Sequence, residues 1–71
     1  MKRLQLTKSL SLMEASNSAL VTRTKRTMRN ALLVAAHKHG PARARDIAAF
    51  EYDETIAGTS FHIITMRIDI P

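Results

Sequence analysis

The segment of residues 22–29, TRTKRTMR, carries four cations and no acidic side chain. On a helix, Arg23, Arg26 and Arg29 follow one another at spacings of three residues and form one ridge. Such a ridge can lie along a phosphate backbone, and the threonines between the cations add hydroxyl donors. A solvated helix face usually mixes charges of both signs, which this segment does not. We therefore expect the segment, including Lys25, to contact a polyanion or an acidic protein surface.

Basic and acidic residues are distributed unevenly between the two halves of the chain. Residues 1–45 hold ten of the eleven Lys and Arg residues and one of the six acidic residues, whereas residues 46–71 hold Arg67 and five acidic residues. This division predicts that the first half attracts polyanions and that the second repels them or meets a basic surface. The predicted nucleic-acid-binding residues are Arg23, Lys25, Arg26, Arg29, Arg43 and Arg45.

The acidic residues between positions 46 and 54 allow two interpretations. They can solubilise the chain and neutralise nearby arginines, or they can contact a basic protein. Tyr52 lies among them, and a partly exposed aromatic residue among charges is common at interfaces. Apolar residues near the N-terminus are further candidates for contact with a protein. The predicted protein-binding residues are Leu10, Leu12, Met13, Tyr52, Asp53 and Glu54.

The sequence offers little for catalysis or metal binding. His37 and His39 would lie about 200° apart on a helix, so the two rings could not share a metal ion. The chain contains no cysteine, and no spacing indicates a Ser-His-Asp triad, paired catalytic carboxylates or a glycine-rich phosphate loop. A chain of this size also cannot enclose the usual catalytic pocket. We expect a protein that is not an enzyme and that has no metal site and no cofactor.

The length of 71 residues predicts a single domain, residues 1–71. So short a chain buries only about 60% of its unfolded surface, and without disulfides it gains from a partner. A homodimer or a complex with another protein is therefore expected. The lack of cysteine suits a reducing cytoplasm. No run approaches the roughly 20 apolar residues that span a bilayer, which predicts a soluble cytoplasmic protein without a membrane partner.

The first half of the chain predicts an extended segment and then helix. Residues 1–10 form a strand or an extended arm, because Leu4 and Leu6 alternate with polar residues. Residues 11–39 form a basic helical segment. Ser11 and Glu14 match a capping box, and the stronger part of the helix runs from about Ser18 to His39. Gly40 and Pro41 then predict a stop.

The second half predicts a second helix and a strand. Residues 40–57 contain the second helix, from Ala42 to Glu51, and an acidic turn, because Ala44, Ile47 and Ala48 repeat at helical spacing. Residues 60–70 are rich in β-branched residues and predict a strand. This strand needs a neighbour, either residues 2–8, a second copy or a partner protein. The predicted fold class is α+β, with a long basic helix, a Gly-Pro turn, a second helix and a C-terminal strand.

Residues 31–50, ALLVAAHKHGPARARDIAAF, resemble the opening of winged helix-turn-helix transcription regulators. The residues that carry the resemblance are Gly40, Pro41, Ala44, Arg45, Asp46, Ile47 and Ala48. The resemblance covers about 20 of the 71 residues. It implies a compact winged-helix variant, with a recognition helix after Tyr52 in the major groove of DNA and a β-wing behind it.

Three functions are compatible with these features. The leading one is a small basic regulator of transcription that binds nucleic acid electrostatically through its first helix. The second is an inhibitor that binds a host protein such as RNA polymerase. In its small size, basic charge and lack of cysteine, the chain is similar to small phage proteins of this kind. Its contacts would be the apolar N-terminal region, the acidic stretch or the C-terminal edge strand. The third is a small ribonucleoprotein component, for which only Phe50, Tyr52 and Phe61 could stack on bases.

Overall fold

The strands of the protein form one antiparallel sheet, and helices connect the first strand to the second. The computed structural model describes residues 2–39 and 46–70. Its elements are β1 (Lys2–Ser11), α1 (Leu12–Ala15), α2 (Ser18–His37), β2 (Ala48–Ile56) and β3 (Thr59–Ile70). The strand order is β1-β3-β2. Both outer strands run antiparallel to β3 and therefore parallel to each other, so the chain from β1 through α2 to β2 is a split β-α-β arrangement.

The central strand β3 supplies the apolar face on which α2 packs. Ile64, Met66, Ile68 and Ile70 alternate along it and are buried, as the period of two in a strand requires. Helix α2 contributes Met28, Leu32 and Ala36 to the same cluster, and β1 adds Leu10. Leu32, Ile64 and Ile68 are the largest fully buried side chains. The core is therefore a single aliphatic layer between one helix and one face of the sheet.

The two helices begin at sequence-encoded caps. Ser11 and Glu14 form a reciprocal capping box, in which the Glu14 N–H donates to Ser11 Oγ and the Ser11 N–H donates to Glu14 Oε1, each at 3.0 Å. Asn17 caps α2 by accepting the Leu20 N–H at 3.1 Å. These polar side chains satisfy backbone donors that have no partner inside a helix. The segment predicted to be helical over residues 11–39 is thus divided at Ser16 and Asn17 into one short helix and one of twenty residues.

The predicted second helix is wrong. In its place Ala48–Ile56 forms strand β2, which pairs with β3 from Ala48 opposite Arg67 to Ile56 opposite Thr59. The helical spacing that includes Ile47 and Ala48 is a local preference, and from Ala48 onward pairing with a strongly β-forming neighbour overrides it. The start of the predicted helix lies outside the described residues, as do Arg43, Arg45 and the predicted Gly40-Pro41 turn.

The winged-helix architecture is wrong for the same reason. The residues after Tyr52 continue in β2 and turn directly into β3, so they form no recognition helix. The strand at residues 60–70 is also not an edge strand. It pairs with β1 on one side and β2 on the other, so strand addition along it is excluded, and the exposed edges of the sheet belong to β1 and β2.

Candidate functional site

The basic segment of residues 22–29 lies on α2, with its arginines directed away from the core. Met28 faces the sheet and is 7% exposed, whereas Arg23, Arg26 and Arg29 are exposed. At about 100° per residue, each of these arginines lies about 100° or more around the helix from Met28. Arg29 also takes part in an interaction within the chain. We call Arg23, Arg26 and Arg29 the basic ridge.

Lys25 differs from the arginines of the ridge because it faces β2. Its Nζ lies 2.5 Å from Oε2 of Glu51, and both side chains are about one-third exposed. The hydrogen bond from Lys25, followed by that from His62, holds the pKa of Glu51 below its usual range. Lys25 is therefore paired within the fold. The sequence alone could not show this pairing, because it joins residues of two elements.

A groove of about 290 Å³ runs between α2 and β1 beside the ridge. Its lining combines two cations, Lys8 and Arg23, with the hydroxyl groups of Thr24 and Thr27. Glu14 also borders the groove, and its pKa is lowered, first by the hydrogen bond from the Ser11 backbone N–H and then by that from the Ser11 hydroxyl. The carboxylate is thus tied to the helix cap. The groove extends the cationic surface from α2 to β1, a contribution of Lys8 that sequence reasoning missed.

Two residues of the acidic stretch, Glu51 and Asp53, form a cluster with His62 on the face of the sheet that α2 covers, whereas Glu54 lies opposite Phe61 on the other face. Glu51 and Asp53 alternate on β2, and Asp53 lies opposite His62 in the register. His62 Nδ1 is 2.7 Å from Asp53 Oδ1, and Nε2 is 3.1 Å from Glu51 Oε1. Both ring nitrogens donate only when the imidazole is protonated, and the Asp53 hydrogen bond, followed by the Glu51 one, raises the pKa of His62. The cluster is therefore a network of ion pairs when His62 is protonated.

The predicted protein-binding residues do not lie on one surface. Leu10 is 2% exposed and belongs to the core, whereas Leu12 and Met13 on α1 are 51% and 83% exposed. Tyr52 is 48% exposed on β2, on the face of the sheet turned away from α2. Leu10 is therefore unavailable to a partner in the folded chain, and only Leu12 and Met13 remain as an apolar pair near the N-terminus.

The face of the sheet turned away from α2, which we call the open face, carries every aromatic side chain of the protein. Phe50, Tyr52 and Phe61 occupy it by register, since they lie opposite Thr65, Ile63 and Glu54 respectively. Sequence reasoning considered these residues but did not place them together. The signal was present: Phe50, Tyr52 and Ile56 alternate, and a two-residue spacer separates them from the β-branched run at residue 59, which is typical of a hairpin.

Comparison with known proteins gives no relative from which a role can be transferred. No protein-family model, no curated protein and no solved structure matches the chain. Within residues 2–39 and 46–70, no group of three or more metal-ligating side chains is arranged to hold a metal ion. No helix in this same part of the chain is long and apolar enough to cross a membrane. The functional assignment therefore depends on the surfaces themselves.

Proposed function

We propose that the protein binds nucleic acid through the basic ridge and that it regulates transcription by occupying DNA. The observation that carries this proposal is the exposure of Arg23 and Arg26 on the side of α2 away from the sheet, while the acidic residues Glu51 and Asp53 are engaged by Lys25 and His62. Glu51 and Asp53 are thus engaged by cations other than Arg23 and Arg26.

The basic ridge is suited to contacts with phosphates rather than with the edges of bases. Arginines on an exposed helix face contact phosphates without reading the sequence, and the described fold has no helix that follows α2 and could enter a groove. Lys8 and Arg23 beside the groove continue the cationic surface around one side of the helix. We therefore expect affinity that depends strongly on salt and little on base sequence.

The test compares two variants of equal charge change. Arg23→Gln/Arg26→Gln removes two cations from the ridge, and Lys2→Gln/Lys38→Gln removes two exposed cations elsewhere. Arg29 is left unchanged because its interaction within the chain would complicate the result. Affinity for labelled duplexes of two unrelated sequences is measured by fluorescence anisotropy between 50 and 300 mM salt, conditions chosen to span the usual fall of affinity with salt.

We expect the ridge variant to lose affinity for both duplexes equally and to lower the salt slope by about two, since each phosphate contact contributes about 0.9. The control variant should change the slope less. A ridge variant that binds both duplexes as the unmodified protein does, with unchanged melting temperature, rejects the proposal.

A second function, binding to a host protein such as RNA polymerase, is favoured by one observation. Leu12 and Met13 on α1 are 51% and 83% exposed. No contact among the described residues explains why these two apolar side chains are left in solvent. The test uses purified bacterial RNA polymerase with nuclease at 500 mM salt, where electrostatic binding is weak. Retention that is lost in Leu12→Ser/Met13→Ser supports this second function, and absence of retention rejects it.

A further inference from the structure

The outer edge of β1 is open to another strand. Within residues 2–39 and 46–70, β1 pairs with β3 on one side and with no strand on the other, so its outward backbone N–H and C=O groups have no strand to bond. Such an edge accepts a further strand unless charge, proline or a covering element prevents it. β1 is ten residues long and contains neither proline nor an acidic residue. Its outer edge therefore has the chemistry of a docking site for an extended chain.

The cations of β1 lie away from its centre. Residues 4–7, LQLT, are uncharged. Lys2 and Arg3 lie at the start of the strand, where Arg3 forms an ion pair with Asp69 at 2.8 Å, and Lys8 lies beyond the centre beside the groove. Charges that protect an edge strand from association are therefore absent from the middle of β1.

The other edge strand, β2, is protected by charge. Its centre carries Glu51, Asp53 and Glu54, so a second copy of β2 would bring like charges close together. The centre of a neighbouring β1 would bring no cation to these acids. A pairing of β1 with β2 is also heterologous and would leave a free edge on every copy added. The edges therefore favour the pairing of β1 with β1.

A second copy of β1 is complementary to the first around Leu6, which is 37% exposed. Two copies related by a two-fold axis perpendicular to the sheet pair antiparallel and keep their helices on the same face. With the axis at Leu6, this residue meets its own copy, Leu4 lies opposite Lys8, and Arg3 lies opposite Ser9. No like charges are then directly opposed.

The neighbouring registers are less favourable. With the axis at Gln5, Lys2 of each copy lies opposite Lys8 of the other, and two cations directly opposed destabilise a strand pair. With the axis at Thr7, the exposed Leu6 lies opposite Lys8. Of the three registers, the one centred at Leu6 alone places Leu6 against an apolar residue without opposing two cations.

We infer that the protein forms a two-fold symmetric dimer in which the β1 strands of two copies pair antiparallel about Leu6. The two sheets of three strands then join into one sheet of six, with both α2 helices on the same face. A chain this short buries only about 60% of its unfolded surface, and the joined edges bury more. The interface does not depend on the proposed function, but it presents two basic ridges on one side of the dimer.

The oligomeric state of the full chain tests the interface without nucleic acid. Sedimentation equilibrium at increasing protein concentration should show a mass that rises to twice 7.9 kDa and no further. Leu6→Lys places two ammonium groups opposite each other at the axis and should leave a monomer where the unmodified chain is a dimer. Ile56→Lys is the matched control, since Ile56 is 50% exposed on β2, the other edge strand, and it should stay dimeric.

Single cysteine variants test the register, because the chain contains no cysteine. At the axis, Leu6→Cys lies opposite its own copy with the two Cα atoms about 4.5–5.5 Å apart, which suits a disulfide. In Gln5→Cys and Thr7→Cys the two copies of the cysteine are offset by two residues, with Cα atoms about 8 Å apart. Under mild oxidation, both should form the disulfide-linked dimer roughly tenfold more slowly than Leu6→Cys.

The outcomes keep this inference separate from the proposed function. A chain that stays monomeric, or one that grows beyond a dimer through β1 and β2, overturns the interface, as does dissociation of Ile56→Lys while Leu6→Lys stays dimeric. Equal crosslinking of the three cysteine variants overturns the register at Leu6. Arg23→Gln/Arg26→Gln should keep the dimer mass, so a ridge that fails to bind nucleic acid leaves the dimer intact. If Leu6→Lys fails to fold, the crosslinking of Leu6→Cys decides the question.

Discussion

Lys25 of α2 and Glu51 of β2 form the ion pair that joins the helix to the acidic edge of the sheet, with Nζ 2.5 Å from Oε2. Glu51 also contacts His62 through its other carboxylate oxygen, and His62 contacts Asp53. When His62 is protonated, a continuous line of alternating charges therefore crosses from the helix over β2 to β3. This line explains why Glu51 and Asp53 do not cancel the charges of Arg23 and Arg26, since they contact Lys25 and His62 instead.

The first prediction is that Lys25 contributes to the fold more than to nucleic-acid binding. Lys25→Gln should lower the free energy of unfolding by about 0.5 kcal/mol, the usual range for a partly exposed ion pair. Lys25→Gln should also decrease the logarithm of the affinity for duplex DNA by less than half as much as Arg26→Gln does. The reason is that Arg26 is exposed on the ridge. Urea unfolding and anisotropy measure the two effects. Equal losses of affinity would place Lys25 among the phosphate contacts.

The second prediction concerns pH. The hydrogen bonds from Asp53 and Glu51 raise the pKa of His62 above its ordinary value of 6.5. The folded state therefore holds this proton more tightly than the unfolded state does. The stabilisation is complete below pH 6.5 and is lost as the pH rises through the higher pKa of the folded state. We expect the free energy of unfolding to fall over this range above pH 6.5.

The measurement is urea unfolding at a series of pH values, compared among three proteins. His62→Gln should remove most of the decline, because the imidazole no longer titrates between two carboxylates. His37→Gln should keep it, since His37 lies exposed in the last turn of α2. If the decline in unfolding free energy persists in His62→Gln and disappears in His37→Gln, the pH dependence arises from His37 at the end of α2 and not from His62.

The sequence alone correctly predicts features that depend on residues close together in the chain. The capping box of Ser11 and Glu14 and the stop of α2 near His39 follow from side chains that bond to their own backbone or end a periodic pattern. The exposure of Arg23 and Arg26 follows from the same helical periodicity. These features need no knowledge of the rest of the chain.

Sequence reasoning fails where pairing between distant residues decides the structure. The alanine-rich start of β2 has helical spacing, and only its partner β3 makes it a strand. Leu10 is apolar and near the N-terminus, yet β1 places it under α2, where it is buried. The pairing of Lys25 with Glu51 and the assembly of three rings on one face depend on register, which the sequence of a single element does not contain.

The third prediction concerns the core. Ile64 is fully buried at the centre of β3 beneath α2, and Ile64→Ala should lower the free energy of unfolding by about 2–5 kcal/mol. A domain of this length is expected to have only about 4–10 kcal/mol in total, so this variant should lose about half of its stability. Val34→Ala is the control, because Val34 is 63% exposed on α2, and it should change stability by less than about 0.5 kcal/mol. Circular dichroism during urea titration measures both, and similar midpoints would show that the helix does not cover β3 in solution.

The fourth prediction concerns the turn between β2 and β3. Ile56 pairs with Thr59, which leaves Ala57 and Gly58 as a two-residue loop, and their φ angles are 50° and 80°. Positive φ at both positions defines a type I′ turn, in which asparagine followed by glycine is preferred. Alanine in this left-handed region costs about 1–2 kcal/mol, and asparagine tolerates it better. Ala57→Asn should therefore raise the free energy of unfolding by about 0.5–1 kcal/mol.

The matched variant is Gly58→Ala, which places a Cβ where the structure has no atom within 4 Å. Because no side chain is displaced, any loss of stability must come from the backbone, and we expect about 1–2 kcal/mol. Thermal unfolding of the two variants measures the opposite shifts. If Gly58→Ala is as stable as the unmodified protein, the turn is not type I′, and the register that assembles Phe50, Tyr52 and Phe61 on the open face would be in error.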